Sequence, residues 1–452
     1  MRNFGVICAL FVALGAPVKG SRTHGEVPDV DPDVELVLIG MRHGNRNPSE
    51  FIPDRPHADQ WGWEGEAELT NIGKQQSFKS GQVMRDRYDA VVSPFYLSSE
   101  SKAYSSSANR CQMTLQSFLA GFFPPQGKAD WDTAIDWQPV PYSIDNPMLR
   151  MYAVEPCPKQ IQSWDPISDD NLPELSGWIV REKKLLDYIA KHTGWNASLS
   201  PAADVADNLM NLKFMGLSLP DWVQSSTLEG REGENLYDDI LHFAEAHQIA
   251  CAEYQPCRDM MAGHWVHDVI SHLKNKRDGK ADDLHGVFYA SHTEITLAIM
   301  KVFGMDIPEC PTSAGFVLEY KSSPSPMVRL LYHEPDPANF ADKRIVEVSP
   351  MSAGCDGSGG KQPGGWCPLD QFLRHVEDIS YGDWEAECGL DGVNGEQCVT
   401  GGAGETPLRL SCAQESDKLP RNECQAFKAA GYCTKYLATP YIYCRQSCLC
   451  EV

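Results

Sequence analysis

The sequence predicts an α/β fold, a sheet with helices on both faces, and three observations carry that expectation. A mostly apolar run from Val34 to Met41 is broken at Gly44, as a buried strand entering a tight loop would be. Shorter runs at Phe95 to Leu97 and Val287 to Ala290 read as further strands. Leu69 to Tyr88 and Gly263 to Lys276 carry helical periodicity, and strands alternating with helices build layered α/β sheets.

The remaining segments follow in chain order. Arg2, an apolar stretch from Phe4 to Ala16 and small residues at Gly20 and Ser21 read as a secretory signal over residues 1–20. That stretch is shorter than the roughly 18–20 apolar residues of a spanning helix, and no second candidate span follows, so a soluble product without a membrane span is expected. Its destination is the extracellular space or the lumen of an acidic secretory compartment. Residues 21–392 form the main domain, with a helix-rich stretch at about 130–250 read as a smaller lobe inserted into it. Residues 393–411 contain a Gly- and Thr-rich linker, and Cys412 to Cys450 packs six cysteines into a short module stapled by disulfides.

Composition narrows the function classes. The 452 residues are 42% hydrophobic, enough for a large core, and carry a formal charge of −23. Removing Arg2 and Lys19 with the signal takes the charge to −25 (−23 − 2), which argues against nucleic acid as a partner. Sixteen cysteines in an exported chain imply disulfides; without Cys8 fifteen remain (16 − 1), so at least one thiol is left unpaired. Cys111, in an amphipathic helical run from Cys111 to Phe123, is assigned that role. Asn196-Ala197-Ser198 is an acceptor for N-glycosylation.

The chemistry concentrates at Arg42-His43-Gly44-Asn45-Arg46-Asn47-Pro48, directly after the first strand, where open α/β sheets bind ligands. Two guanidiniums beside one imidazole make a trap for a phosphate dianion. An isolated Arg-His-Gly is more often a surface loop paired with acids, but matching pieces lie elsewhere in the chain. Arg110 follows Ser105, Ser106 and Ser107, good caps for the helix it opens. Tyr289-Ala290-Ser291-His292-Thr293-Glu294 places a histidine and a carboxylate at the end of another strand. His264, His267 and His272 do not share one helical face and are read as framework; no metal and no other cofactor is assigned.

These segments together resemble the histidine acid phosphatase family, with the greatest likeness to its prostatic and lysosomal branch. Arg42 to Pro48 meets the family motif Arg-His-Gly-x-Arg-x-Pro in full. The likeness continues through Leu69-Thr70 with Gly73 and Gln76, Arg110, Phe122 to Pro125, Cys157-Pro158 and Leu219 to Trp222. It ends with Cys367 to Leu369, Asp383-Trp384 and Cys388. It implies a phosphoglycerate-mutase-like sheet domain flanked by helices, with a smaller helical domain inserted. It also implies a two-step hydrolysis of small phosphate monoesters without metal, in which His43 forms a phosphohistidine while Arg42, Arg46, Arg110 and His292 hold the oxygens. A homodimer is compatible with the resemblance.

One departure bears on mechanism. The acid phosphatase branch has Asp after the second His, where it protonates the leaving oxygen, and this chain has Thr293. His292-Thr293-Glu294 resembles the His-Ala-Glu of inositol-polyphosphate phosphatases and phytase-like members, so the proton donor is assigned to Glu294. The plainer alternative is a helix-start carboxylate that only complements the dipole. A donor that must be protonated predicts an acidic optimum. Two further readings stay open: an inositol-polyphosphate phosphatase, and a secreted pseudophosphatase that binds a partner, with Thr293 as its mark.

The family pattern further implies bridges from Cys157 to Cys388 and from Cys355 to Cys367. Cys310 matches a half-cystine whose partner is left open between Cys251 and Cys257, and Cys398 is unplaced. The tail resembles the ShK toxin-like domain, which implies bridges Cys412 to Cys450, Cys424 to Cys444 and Cys433 to Cys448. Its ending, Cys448-Leu449-Cys450, is one residue short of the usual pattern. Lys435-Tyr436 sits closer to the preceding cysteine than the pair with which toxins block potassium channels. The tail is therefore read as a structural or partner-binding appendage, with a protein or an ion channel as its target.

Overall fold

A computed structural model describes residues 29–53, 55–154, 157–336, 339–346, 363–389, 420–429 and 447. The described strands form one sheet. Strand β1 (Leu36–Arg42) runs through its middle, parallel to β4 (Gly286–Ser291) and antiparallel to β5 (Gly315–Lys321). On the β4 side lie β2 (Ser101–Ser105) and β3 (Ser143–Ile144), both parallel. On the β5 side lie β6 (Met327–Asp336) and β7 (Asn339–Val346), antiparallel, with β8 (Cys367–Pro368) also on β6. The order is β3-β2-β4-β1-β5-β6-β7.

The apolar run of β1 reflects burial on both faces. Leu36 and Leu38 join a core with Trp265, Tyr289 and Phe316, while Val37, Ile39 and Met41 join one with Phe118, Phe122 and Phe288. Helices α1 (Asn71–Arg87) and α2 (Asn109–Phe122) cover the second face. They cross closely because Gly81 and Gly121 sit at the contact: a Cβ on either would come within 2.0 or 2.2 Å of a carbonyl oxygen of the other helix.

Between β3 and β4 the chain is helical. It runs through α3 (Asn146–Leu149), α4 (Pro158–Ser168), α5 (Pro173–Thr193), α6 (Leu199–Phe214), α7 (Asp221–Gln224), α8 (Tyr237–Leu241), α9 (Ala246–Glu253) and α10 (Gln255–Arg277). Their apolar faces, with Leu186, Leu209, Phe243 and Trp265, share the core of the first face. Helix α11 (Thr293–Val302) follows β4 directly, and α12 (Leu369–Val376) and α13 (Trp384–Glu387) complete the described part of this unit. Contacts divide the chain into Met1–Leu390 and Asp391–Val452. In the second unit the described residues are Pro420, α14 (Arg421–Ala429) and Ser447.

Phe95 to Leu97 is not a strand; the strand begins at Ser101. Its inward residues are Ser101, Ala103 and Ser105, so it buries small groups and leaves no apolar run to read. Disulfides join Cys157 to Cys388 and Cys251 to Cys257, so the two residues weighed as partners of Cys310 bond to each other. Cys367 and Cys424 are disulfide-bonded, and Cys111 carries a free, buried thiol. The signal, the linker, Cys355, Cys398, Cys412, Cys433, Cys444, Cys448 and Cys450 lie outside the described residues. Among the described residues, no helix is long and apolar enough to cross a membrane.

Candidate active site

Parallel strands β2, β4 and β1 lie side by side, so their carboxyl ends open on one edge. Strand β1 ends at Arg42 and releases the motif loop, β4 releases His292 into α11, and β2 leads through Ser106 to Arg110 in the first turn of α2. Connectivity alone thus gathers the five phosphate-site residues predicted from sequence at the end of the sheet where ligands bind.

The motif loop is held rigid by its neighbours. Gly44 N donates to Thr114 Oγ1 and Asn45 N to Gln76 Oε1, both at 2.9 Å, and Asn211 Nδ2 of α6 donates to the Arg46 carbonyl at 3.1 Å. The loop lies directly on α1: a Cβ on Gly44 would sit 2.5 Å from the Gly73 carbonyl oxygen, and one on Gly73 would sit 2.1 Å from that of Asn45.

Hydrogen bonding sets the tautomers. His43 Nδ1 lies 2.9 Å from the Gly44 carbonyl, which can only accept, so Nδ1 carries the hydrogen and Nε2 keeps its lone pair. Arg110 Nη2 donates to His292 Nδ1 at 3.1 Å, which leaves His292 Nε2 to donate to Ser106 Oγ at 2.9 Å. The rings meet edge to face with centroids 5.7 Å apart. Burial, then Arg110, Arg42, His292 and Arg46, hold His43 well below the usual histidine pKa. Burial, then Arg110, Arg150, Arg46 and Arg42, do the same for His292.

Arg42 Nη1 donates to the Cys310 carbonyl, and Nη2 pairs with Glu245. Arg46 Nη2 lies 2.9 Å from Asp207 Oδ2, and its Nη1 donates to the Asn47 carbonyl. The Nε–H groups of Arg42 and Arg110 are buried without an acceptor. The Nε–H of Arg150 is likewise buried without an acceptor.

Glu294 occupies the first turn of α11 and is 8% exposed. It lies close enough to Tyr152 and Cys111 to help raise both pKa values, after burial as the main cause, with the thiol pushed up to about 11. Tyr152 meets the His292 ring edge-on at 5.6 Å. Thr293 beside it is buried.

Several neighbours escaped the sequence. Glu245, Asp207, Arg150 and Tyr152 come from the helical stretch, where no local pattern marks them. The serines before Arg110 do not cap α2 as expected: its N-cap is Ala108, without a side-chain bond, and Ser106 serves His292 instead. Outside the site, His264 Nδ1 faces the Tyr381 carbonyl, His267 Nδ1 faces Ser380 Oγ, and His272 faces Asp268. Among the described residues no group of three or more His, Cys, Asp or Glu converges as a metal site. Asn196 is exposed between α5 and α6.

Two buried histidines and three arginines stand together at the carboxyl ends of the parallel strands, a grouping whose charge suits a phosphoryl group. Residues 33–333 match the histidine phosphatase superfamily (branch 2), and the chain belongs to that family. Lysosomal acid phosphatase of Bos taurus is 30% identical over 374 residues, covering 79% of this chain and 81% of the relative. Prostatic acid phosphatase of Bos taurus is 22% identical over 390 residues, covering 82% and 93%. A putative acid phosphatase 5 of Caenorhabditis elegans is 25% identical over 400 residues, covering 85% and 86%. The phytase of Hafnia alvei shares the fold, with TM-score 0.56 at 15% identity over 77% of this chain and 97% of its own. The chain is therefore a phosphoric monoester hydrolase of the acid phosphatase kind.

Proposed function

We propose that this chain is a secreted acid phosphatase in which His43 is the nucleophile, Glu294 the proton donor, and Arg42, Arg46, Arg110 and His292 the phosphate ligands, His292 by giving the Nε2–H it directs at Ser106 to a phosphoryl oxygen. The observation that carries this reading is the bond from His43 Nδ1 to the Gly44 carbonyl, which leaves Nε2 unprotonated among the arginines. In the first step Nε2 attacks phosphorus, the P–O bond to the alcohol breaks, and the leaving oxygen takes the proton of Glu294. In the second step water attacks the phosphohistidine, Glu294 accepts the water's proton, and Nε2 leaves with its electron pair. The guanidiniums meet the charge on the transferring group throughout, and every group used belongs to the protein.

Depression of the His43 pKa supports activity in acid, since the nucleophile stays neutral below the usual histidine range. Glu294 in place of the branch's Asp favours the inositol-polyphosphate reading. Glu245 and Asp207 on the arginines oppose it, because they offset positive charge that a polyphosphate would need. The tail is proposed to be a ShK toxin-like module that binds a protein partner, and its cysteine spacing supports that. Asn196 is proposed to carry a glycan, since the sequon is exposed.

The test is hydrolysis of p-nitrophenyl phosphate from pH 3 to 9 with chelator present. Wild type is expected to act in acid, His43→Ala to be inert, and Glu294→Gln to lose roughly 10²- to 10⁴-fold, the usual worth of general acid catalysis. An inert wild type would favour the pseudophosphatase. A fully active Glu294→Gln would remove Glu294 from the mechanism.

A further inference from the structure

Glu245 is the residue the proposed mechanism leaves unexplained. It precedes α9 with φ +58°, a left-handed conformation that non-glycine residues rarely adopt. Such a backbone is disfavoured and persists where the surrounding structure insists on it. What this conformation delivers is a carboxylate on Arg42 Nη2. Arg42 Nη1 donates to the Cys310 carbonyl, so Glu245 stands on the guanidinium nitrogen next to the unpartnered Nε, the edge of Arg42 that a phosphoryl oxygen would share with the carboxylate.

We propose that Glu245 is an internal competitor for the substrate phosphoryl group, a carboxylate that occupies the Arg42 donor and must yield it when phosphate binds. The inference rests on the reading of Arg42 as a phosphate ligand. A permanent structural role fits less well. A buried carboxylate kept only to neutralise Arg42 would gain from a relaxed backbone, whereas this one is held in a strained conformation beside a second carboxylate.

The charges around it decide when it yields. Facing Glu245 are Arg42 of β1, Arg46 of the motif loop and Asp207 of α6. Other charges of α9 are engaged elsewhere: His247 Nε2 lies 2.7 Å from Asp170, and Glu253 pairs with Lys301 of α11. Burial, the largest influence, and Asp207 raise the Glu245 pKa against the opposing pull of Arg42 and Arg46, leaving it above the usual carboxylate value. A raised carboxyl takes its proton in milder acid than an ordinary one. The competitor therefore loses its charge in milder acid than an ordinary carboxylate, freeing Arg42 under the conditions in which the enzyme is proposed to work. Glu245 then acts on affinity as a positioning residue and takes no part in bond breaking.

Titration calorimetry with inorganic phosphate on the full chain tests this without requiring turnover. Wild type, Glu245→Gln and Glu245→Gly are compared from pH 7.5 to 4.5; glycine removes the carboxylate and accepts the positive φ, so it serves if the glutamine variant folds poorly. The ratio of affinities cancels the titration of phosphate itself, which all three share. Both variants are expected to bind phosphate about tenfold more tightly than wild type at pH 7.5, the worth of one charge-assisted bond. That advantage should vanish toward pH 4.5. Equal affinities at pH 7.5, or weaker binding by the variants at both ends, would overturn the proposal, the second result making Glu245 a support for Arg42. Loss of phosphate binding in all three proteins would instead overturn the phosphate site together with the competitor.

Discussion

Replacing Gly73 with alanine sets two effects of known size against each other. Gly73 lies inside α1, where alanine is favoured over glycine by roughly 0.8–1.0 kcal/mol, so local propensity predicts a more stable protein. The tertiary structure predicts the reverse. The added Cβ would lie 2.1 Å from the Asn45 carbonyl oxygen and 2.8 Å from Asn45 N, whereas ordinary contact begins near 3.4 Å, so about 1.3 Å (3.4 − 2.1) must be found. That carbonyl also accepts from Thr70 N at 3.0 Å, and Thr70 is the N-cap of α1, its Oγ1 accepting from Gly73 N. Helix and loop cannot part without loosening that cap. Overpacking of this kind costs about 1–3 kcal/mol, which exceeds the propensity gain. The displaced backbone follows His43 by two residues, and a shift of about 1 Å at a reacting group costs on the order of 10²-fold in rate. Gly73→Ala should therefore lower the thermal midpoint and reduce kcat on p-nitrophenyl phosphate by about a hundredfold. A variant with a raised midpoint and kcat within about twofold of wild type would refute the close-approach argument.

Three further outcomes follow from the geometry. His43 and His292 have folded pKa values depressed below the unfolded value, so below about pH 6.5 the unfolded chain takes up protons that the native state refuses. Stability should then fall as pH drops from about 6.5 toward the folded values, by up to roughly 1.4 kcal/mol per unit for each histidine, and urea unfolding of His292→Gln should show a shallower slope than wild type. Glu319, fully buried, accepts from Arg329 Nε at 2.6 Å and Tyr88 Oη at 2.8 Å, so Glu319→Ala should cost about 3–5 kcal/mol in denaturant. The exposed pair Lys183–Asp187 should be worth about 0.3–0.5 kcal/mol or less, and equal losses at the two sites would contradict the burial argument. Replacing Cys157 and Cys388 together with serine opens a bridge spanning 231 residues and should remove about 2–5 kcal/mol, read as a lower thermal midpoint.

The grouping of His43, His292 and the arginines was legible in part because several of its members are contiguous or sit at strand ends. Arg42 to Pro48 is one segment and His292 follows β4 at once, so knowing those two strands is nearly enough to bring them together, whereas Arg110 follows a strand the sequence does not show and rested on the family resemblance. The apolar run of β1 was legible for a related reason: burial on both faces leaves a continuous pattern in the chain. Strand β2 was missed because it buries serine and alanine, and Ser106 was misassigned because a serine before a helix reads as a cap whether or not its hydroxyl turns to a histidine 186 residues away. The sequence by itself determined the family, the sheet and which residues carry positive charge to its edge. Only the tertiary structure decided which carboxylates those charges meet. Asp207 reaches Arg46 from within α6 and Glu245 reaches Arg42 from the turn before α9, each more than 150 residues along the chain, and such pairings are set by how helices pack, a property no local pattern of residues records.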